Sequence, residues 1–230
     1  MSKINSFLFL ILLVSFCFTM PQQAAAESTA KIVILPFVLE AEKPNPGLSK
    51  KIVSMISDLL QKEGAQVIVL PETQDPLLDL PHKAYNEIGI ENGADYVLTG
   101  SLFAAGSGIS IDATLINTFV ENDQVPIFAQ TDSFENLFAA VSKASKEITS
   151  VVFQKKLIAD IVIAGNKRIE QDVILRSINT QAGDILKPEQ ISRDIKAIYS
   201  MGYFDNVVVK KEDSDKGVRL VYTVTEKSTV

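Results

Sequence analysis

The chain has 230 residues, enough for one large domain or two small ones, with 22 basic against 28 acidic side chains and a formal net charge of −6. Its 47% apolar content is too high for a disordered chain, and its acidic balance argues against nucleic-acid binding through a general positive field. One Cys and one His exclude a disulfide within the chain and most zinc sites.

The first 26 residues are predicted to be a secretory signal peptide. Lys3 gives a positive start, residues 7–18 are almost entirely apolar, and small residues lead up to a predicted cleavage between Ala26 and Glu27. The apolar stretch is shorter than the roughly 20 residues that span a bilayer, and the alternative is an uncleaved membrane anchor. No later stretch reaches spanning length, so the mature chain is expected to have no transmembrane segment. Cleavage also removes the single cysteine, which suits an oxidising compartment.

Residues 31–153 are predicted to form a first, α/β unit. Residues 31–35 are a continuous apolar run, as expected of a buried strand. Apolar side chains then recur at helical spacing over residues 48–60, and Gly64 ends that helix. Residues 67–70 give a second strand. This order predicts a strand–helix–strand unit with parallel strands.

The remainder of the first unit is predicted to add three strands between two helices. In order, these are a helix at 83–89, strands at 96–103, 109–115 and 126–131, and an amphipathic helix at 137–152. Asp132 and Glu135 have the spacing of a capping box, which predicts the start of the last helix.

Two segments of this unit resemble the amino-terminal domain of TolB. They are VILPF at residues 33–37 and GADYVLTGS at residues 93–101, on either side of the Gly64 helix end. The resemblance implies an α/β periplasmic domain of the kind that precedes a β-propeller. No propeller repeats follow in this chain, so the function of TolB itself is not implied.

The residues from 157 onward are predicted to form a second, α+β unit. Its predicted elements are a strand at 158–163, helices at 169–178 and 188–199, and strands at 207–209 and 218–225. This order predicts two helices over one face of a three-stranded sheet.

Four motifs of the second unit resemble the POTRA domain. They are IAGN at 163–166, Gly183 between the helices, IYSMGYFDNV at 198–207 and VTE at 224–226. Among POTRA families the likeness is greatest to the first repeat of BamA-type outer membrane assembly proteins, and smaller to two-partner secretion transporters and the division protein FtsQ. The chain is therefore interpreted as a signal peptide (1–26), a TolB amino-terminal-like domain (27–154) and a POTRA domain (155–230).

The helix-end motif also has a direct physical interpretation. Gly202 can adopt a positive φ and end the second helix of this unit. Tyr203 and Phe204 are then expected to fold into the core between sheet and helices, where each aromatic ring can bury about 150–250 Å².

The resemblance implies that the strand containing residues 207–211 lies at a sheet edge, where an extended peptide can add as a further strand. The predicted peptide-binding residues are Val207, Val208, Val209, Lys210 and Lys211. The two lysines are equally compatible with protective edge charges that discourage pairing.

Enzymatic interpretations have little support in the sequence. His82 has no Cys or second His to share a metal, and no Ser and Asp are marked as its partners in a triad. The GSG at residues 106–108 leads into an alternating strand rather than a helix, which indicates a hairpin turn and not a phosphate loop. No catalytic residue, cofactor or metal is predicted.

Two functions remain open from the sequence. The first is the periplasmic, POTRA-containing part of an outer membrane β-barrel protein assembly factor. Its implied partners are unfolded outer membrane protein clients, assembly-complex lipoproteins and a β-barrel missing from or separate from this chain. The alternative is a free-standing periplasmic interaction protein of Tol-type envelope maintenance. Both place the chain in the periplasm of a Gram-negative-type bacterium, associated with the outer membrane if it is joined to a barrel.

Overall fold

The computed structural model describes residues 29–41, 45–72 and 77–228. The predicted signal peptide, with its cleavage site between Ala26 and Glu27, lies outside the described residues. Two β-sheets, each with its own helices, follow one another along the described chain. The predicted fold class, an α/β unit followed by an α+β unit, is confirmed.

The first unit alternates strands and helices before it ends in a long helix. Its elements are β1 (Lys31–Ile34), β2 (Val38–Ala41), α1 (Pro46–Lys62), β3 (Gln66–Val69), α2 (His82–Glu91), β4 (Tyr96–Ala105), β5 (Gly108–Asn117), β6 (Gln124–Thr131) and α3 (Leu137–Val152).

The sheet of this unit has the strand order β3-β1-β4-β5-β6. Strands β1 and β3 are parallel, as predicted. Strand β4 is also parallel to β1, and β5 and β6 continue the sheet in antiparallel fashion. Strand β2 was not predicted. It continues the line of β1 along the same edge of β4, after an interruption at Pro36, which has no N–H for the ladder.

The long apolar run in β1 is explained by burial of both sheet faces. Ile32 and Ile34 pack beneath α1 and α3, whereas Val33 and Leu35 face the opposite side, where α2 contributes Tyr85. Because helices cover both faces, this strand shows no alternation of apolar and polar residues.

The predicted capping box before α3 is wrong in one member. A 3₁₀ turn (Phe134–Asn136) precedes the helix, and its cap is Ser133 rather than Asp132. The Ser133 hydroxyl accepts a hydrogen bond from the Glu135 N–H at 3.1 Å. Spacing alone did not distinguish two adjacent residues that can both cap.

The second unit has the predicted order of strand, helix, helix, strand and strand. Its elements are β7 (Ile158–Ala164), α4 (Gln171–Ser177), α5 (Pro188–Ser200), β8 (Phe204–Ser214) and β9 (Gly217–Glu226). The sheet order is β7-β9-β8, with β9 in the centre, parallel to β7 and antiparallel to β8. Both helices contribute to the one apolar core of this unit.

The helix-end motif is confirmed at two of its three positions. Gly202 has φ +81° and follows the end of α5. Phe204 is 2% exposed in the core, but Tyr203 is 53% exposed. The prediction that Tyr203 also enters the core is wrong, because adjacent side chains point to opposite sides as an extended strand begins.

One buried carboxylate organises the loop between α4 and α5. Asp194 of α5 is fully buried and accepts hydrogen bonds from the Asn179 N–H at 2.8 Å and the Tyr222 hydroxyl at 3.1 Å. The N–H and hydroxyl of Thr180 donate to the same carboxylate. Burial raises the pKa of Tyr222, and the negative charge of Asp194 adds to the effect. The carboxylate therefore ties the interhelical loop to α5 and β9.

Candidate functional site

The predicted peptide-binding residues lie on an edge strand. Residues 207–211 fall within β8, which pairs with β9 on one side only. The N–H of Val207 and the C=O of Val209 are bonded to groups outside the ladder, so the odd-numbered residues turn their main-chain groups away from β9. Val208 and Lys210 consequently turn theirs toward β9.

This alternation determines whether a proline substitution in β8 blocks the outer edge or disrupts the pairing with β9. A proline at Val208 would seem suited to blocking peptide addition while preserving the fold. Because the Val208 N–H faces β9, the substitution would remove a ladder hydrogen bond and strain the sheet itself. Val208→Pro is therefore not a clean test of the edge.

The centre of the β8 edge is already occupied by the first unit. The loop at residues 118–123, which we call the docking loop, connects β5 to β6 and lies against β8. The Glu121 N–H donates to the Val209 carbonyl at 2.8 Å, and Glu121 forms an isolated parallel β-bridge with Lys210. A segment of this chain therefore occupies the position that an added peptide would take.

Two ion pairs flank this bridge. Lys210 Nζ lies 3.3 Å from Glu121 Oε2, and Lys211 Nζ pairs with Asp123 Oδ1. Lys210 remains about half exposed, whereas Lys211 and Asp123 are each only about 15% exposed. The two lysines therefore attach the edge to the first unit, rather than standing as solvated charges.

The docking loop also inserts an apolar side chain into the second unit. Val120 is 0% exposed and belongs to the core of the second unit, and Phe119 packs beside it. The loop is braced from within, since the Asn117 side chain accepts a hydrogen bond from the Phe119 N–H at 3.0 Å and donates to Asp123 at 3.1 Å. The sequence analysis did not predict this contact. The sequence feature that could have indicated it is charge complementarity between the acidic loop at 121–123 and the adjacent Lys210 and Lys211.

The start of the β8 edge is capped by a side chain of α5. The Val207 N–H donates to the Tyr199 hydroxyl at 3.1 Å. Tyr199 is 41% exposed, so its ring can rotate away without disturbing the core.

The start of the opposite edge, at residues 156–158, is covered by the second unit itself. The Ile158 N–H donates to the Asp184 carbonyl at 2.8 Å, and the Ile158 carbonyl accepts from Gly183 at 2.7 Å. Further along, the Leu186 N–H donates to the Lys156 carbonyl at 2.7 Å, and Leu157 bridges Ile185. This closure belongs to the loop that Asp194 organises.

A cleft of about 980 Å³ lies between the two units. One wall is α2 with Thr118, and the other is formed by α5 and β8 residues 206–209. Helix α2 can approach the docking loop closely because Gly89 has no Cβ. A Cβ at this position would overlap the Thr118 side chain. Asp95 also lines the cleft, and burial raises the pKa of its carboxyl, although a hydrogen bond from the Lys31 N–H partly offsets this.

Residues 29–41, 45–72 and 77–228 contain neither a metal-binding cluster nor a membrane-spanning helix. Within these ranges, no group of three or more His, Cys, Asp or Glu side chains is placed to hold a metal ion. Over the same ranges, no helix has the length and apolar character needed to cross a membrane.

Comparison with known proteins agrees with the topology of the second unit. Residues 157–227 match the family model of POTRA, described as a surface antigen variable number repeat. A curated relative, the outer membrane protein assembly factor BamA of Nitratidesulfovibrio vulgaris, is 32% identical over 131 residues. These residues make up 57% of this chain and 17% of the relative, so this chain covers a minor part of the relative's length.

Two solved structures are each similar to part of the chain. The POTRA1-2 region of Omp85 from Anabaena is 25% identical, covers 34% of this chain and 50% of that chain, and gives a TM-score of 0.31. TolB from Acinetobacter baumannii is 14% identical, covers 55% of this chain and 29% of that chain, and gives a TM-score of 0.39.

These findings confirm the resemblance to a BamA-type periplasmic region. The second unit is a POTRA domain by family match and by strand order. The alignment with the BamA relative is longer than the matched POTRA segment, so it extends into the first unit.

Proposed function

We propose that this chain is the periplasmic arm of an outer membrane β-barrel protein assembly factor, and that client polypeptides add as a strand to the edge of β8. Support comes from the POTRA match and from the similarity to a protein named as an outer membrane protein assembly factor. The proposed arm is non-enzymatic and divides into domains at 27–154 and 155–230. Its further partners are assembly-complex lipoproteins and a membrane β-barrel.

The observation that carries this proposal is the β-bridge between Glu121 and Lys210. The bridge relies on main-chain groups, and the Glu121 N–H that donates to Val209 is a group that any residue except proline carries. An edge that pairs with this loop can therefore pair with an extended client of almost any sequence. Such tolerance suits a receptor for many unfolded β-barrel proteins.

A client must compete with the docking loop for this edge. The loop is held by the apolar side chains of Val120 and Phe119, the main-chain bridge between Glu121 and Lys210, and two ion pairs. The exposed pair of Lys210 and Glu121 contributes only about 0–1 kcal/mol, whereas the mostly buried pair of Lys211 and Asp123 can contribute more. A client strand along residues 207–211 could instead bond to the outward groups of Val207, Val209 and Lys211, so exchange of the loop for a client is energetically accessible.

A reversible disulfide tests this exchange. Glu121→Cys combined with Lys210→Cys places two cysteines at bridged positions, and the single natural cysteine, Cys17, lies in the predicted signal peptide. Purified residues 27–230 carrying both substitutions would be titrated into a dye-labelled, urea-unfolded outer membrane β-barrel protein after dilution. We expect oxidation to lower the affinity by at least about tenfold, because the loop can no longer leave.

The same protein provides the control for this experiment. Reduction with dithiothreitol should restore binding to the level of the unmodified chain. Equal affinity in the oxidised and reduced forms would contradict strand addition at β8.

A second experiment tests the assignment to an assembly factor. An antibody against residues 27–230 would be applied to outer membrane and periplasmic fractions of the source bacterium. A band several times heavier than this chain in the outer membrane fraction would support the proposal. A soluble band near the mass of residues 27–230 would overturn it in favour of a free-standing periplasmic protein.

A further inference from the structure

The segment that contains α3 differs in charge from the rest of the chain. Residues 137–157 contain four lysines and one glutamate, whereas the whole chain has a formal net charge of −6. Lys143, Lys146 and Lys155 are exposed. Among the described residues, no salt bridge involves any of these three side chains. The outer face of α3 is therefore a basic surface on an acidic protein.

Two exposed aromatic side chains lie on the same face. Phe138 is 61% exposed, more than any other large apolar side chain among the described residues, and Phe153, directly after α3, is 40% exposed. Their separation of 15 residues places them about 60° apart around the helix axis and about 22 Å apart along it. Lys146 points within about 80° of Phe138. Both rings and this lysine can therefore contact one flat surface.

The position of α3 in the first unit keeps this face outward. The opposite side of the helix packs into the core of the unit through Leu137, Ala140, Val141, Ala144 and Ile148. Other exposed positions on the outer face are small, namely Ala139 and Ser150. The aromatic rings and the lysines are therefore the largest groups that this face presents to solvent.

We propose that the outer face of α3 binds the surface of an anionic phospholipid bilayer. Phe138 and Phe153 enter the interfacial region, and Lys143, Lys146 and Lys155 lie beside lipid phosphates. Lysines combined with exposed aromatic side chains on a helix are typical of such contacts. The inference goes beyond the proposed function, because its ligand is a lipid surface and its residues belong neither to β8 nor to the docking loop.

The charge of this face selects an anionic surface. Glu147 is the one acidic residue of α3, and Glu135 precedes the helix, so together they offset only part of the charge of the lysines. Each lysine close to an anionic bilayer strengthens binding by about fivefold. An uncharged lipid surface would gain only the contacts of the two aromatic rings.

The shape of this face favours a bilayer over a polypeptide. A helix surface is convex, and the main-chain groups in the middle of α3 are bonded within the helix, so an extended chain finds no edge of the kind that β8 offers. Lysine is a flexible point charge that meets a phosphate without a fixed geometry. A fluid lipid surface can therefore adapt to α3, whereas a polypeptide would need a matching groove.

The absence of tryptophan from the sequence allows a direct test. Phe138→Trp in residues 27–230 places one fluorophore on the α3 face, and the predicted signal peptide, which is itself apolar, is left out. Phe128→Trp is the matched control. Phe128 is 48% exposed but lies on the other side of the sheet, because its neighbours Ile127 and Ala129 are buried on the α3 side.

Both variants would be titrated with vesicles of phosphatidylcholine mixed with phosphatidylglycerol. We expect the emission of tryptophan 138 to shift to shorter wavelength as its ring leaves water, and the emission of tryptophan 128 to stay unchanged. Vesicles of phosphatidylcholine alone should produce a much smaller shift. Equal shifts at both positions, or no shift at either, would overturn the proposal.

Charge reversal tests the lysines separately from the rings. Lys143→Glu combined with Lys146→Glu should lower the partition coefficient onto the mixed vesicles by at least about tenfold. The matched control combines Lys83→Glu with Lys196→Glu, two exposed lysines that line the cleft on the α2 side of the sheet. Added salt should weaken binding of the unmodified chain. An equal loss in both double variants would show that net charge, and not the α3 face, governs binding.

The same variants show whether another ligand occupies this face. Loss of client binding in the Lys143→Glu, Lys146→Glu variant, without any binding to vesicles, would assign the face to a polypeptide and overturn the lipid proposal. A dimer in sedimentation equilibrium that this variant abolishes would assign it to a second copy of the chain.

The outcomes are also separable from those of the proposed function. Oxidation of the Glu121→Cys, Lys210→Cys variant should lower its affinity for the client and leave its binding to vesicles unchanged. If the vesicles fail to bind while oxidation still blocks the client, strand addition at β8 stands and the lipid surface is wrong. If the vesicles bind through α3 while oxidation has no effect on the client, the lipid surface stands and strand addition is wrong.

Discussion

The two edges of the POTRA sheet are closed in different ways. At β7, the loop at residues 183–186 bonds to Lys156 and Ile158 through a series of main-chain hydrogen bonds. At β8, the docking loop of the other unit makes a main-chain bridge, two ion pairs and the apolar contacts of Phe119 and Val120.

We interpret the covering of β7 as permanent and propose that the covering of β8 is exchangeable, because different contacts hold the two covering segments. The β7 loop is tied to the fully buried Asp194, so opening it would disrupt the core. The docking loop is held by contacts that a competing strand could replace. We therefore assign the binding role to β8 and a structural role to the β7 closure.

The largest expected effect is loss of the β7 closure by Asp194→Ala. The substitution leaves the Asn179 and Thr180 N–H groups and the Tyr222 hydroxyl without their acceptor. We expect a loss of about 3 kcal/mol or more in the free energy of unfolding. Urea denaturation followed by circular dichroism measures this, with exposed Asp205→Ala as the control. A loss below about 1 kcal/mol would mean that the β7 closure does not depend on this carboxylate.

A smaller loss is expected when the apolar contact of the docking loop is shortened. Val120→Ala should cost about 2 kcal/mol of stability, because Val120 is completely buried in the POTRA core. It should also tighten client binding, since the loop competes less well for β8. Urea denaturation and client titration measure the two effects. Lower stability with weaker client binding would show that the loop assists the client rather than competing with it.

Removing the Asp123 charge should cost about 1–2 kcal/mol of stability, because Asp123 and Lys211 are mostly buried and the lysine loses its partner. Asp123→Asn removes the charge that pairs with Lys211. Hydrogen exchange followed by NMR should then show faster exchange at the Glu121 N–H, while the Ile158 and Leu186 N–H groups at the β7 edge remain protected. Equally fast exchange at both edges in the unmodified chain would remove the distinction between them.

The smallest effect concerns pH and the turn that follows β7. Hydrogen bonds from the main-chain N–H groups of Lys167 and Ile169 lower the pKa of Glu226 from 4.5 to about 2, with a further contribution from Arg168. Because the folded state has the lower pKa, the stabilisation is complete above pH 4.5 and is lost as the pH falls toward 2.

Thermal unfolding at a series of pH values tests this expectation. The midpoint of the unmodified chain should decline between pH 4.5 and 2, and Glu226→Gln should start lower and show a flatter pH profile. Parallel profiles for the two proteins would contradict the role assigned to Glu226.

The sequence predicted the POTRA unit well because its determinants are local. Helical spacing, the positive φ of Gly202 and the burial of Phe204 all depend on residues close together in the chain. The errors were also local: Asp132 was chosen over the adjacent Ser133, and Tyr203 was expected to share the environment of Phe204. The cap was placed one residue too early, and of the two aromatic residues only Phe204 enters the core.

The docking loop could not be predicted in the same way. Phe119 and Val120 are a single apolar pair with polar residues on both sides, too short to show a helical or strand period. Their partners come from the other unit, and the pairing of Asp123 with Lys211 joins residues 88 positions apart. The edge position of β8 could be predicted from the topology of the second unit. That the docking loop covers this edge depends on how the two units pack against each other.

This sequence separation has a consequence for the order of events after synthesis. Contacts within each unit form first, because closing a shorter loop costs less entropy, and the docking loop reaches β8 only after both units have taken shape. During that interval the POTRA core lacks Val120, and the outward main-chain groups of β8 are unpaired. A freshly exported chain is then most prone to pair with a second copy of itself. Refolding at low protein concentration should therefore favour monomers. Refolding at high protein concentration should favour dimers in which the docking loop of each chain lies on the β8 edge of the other.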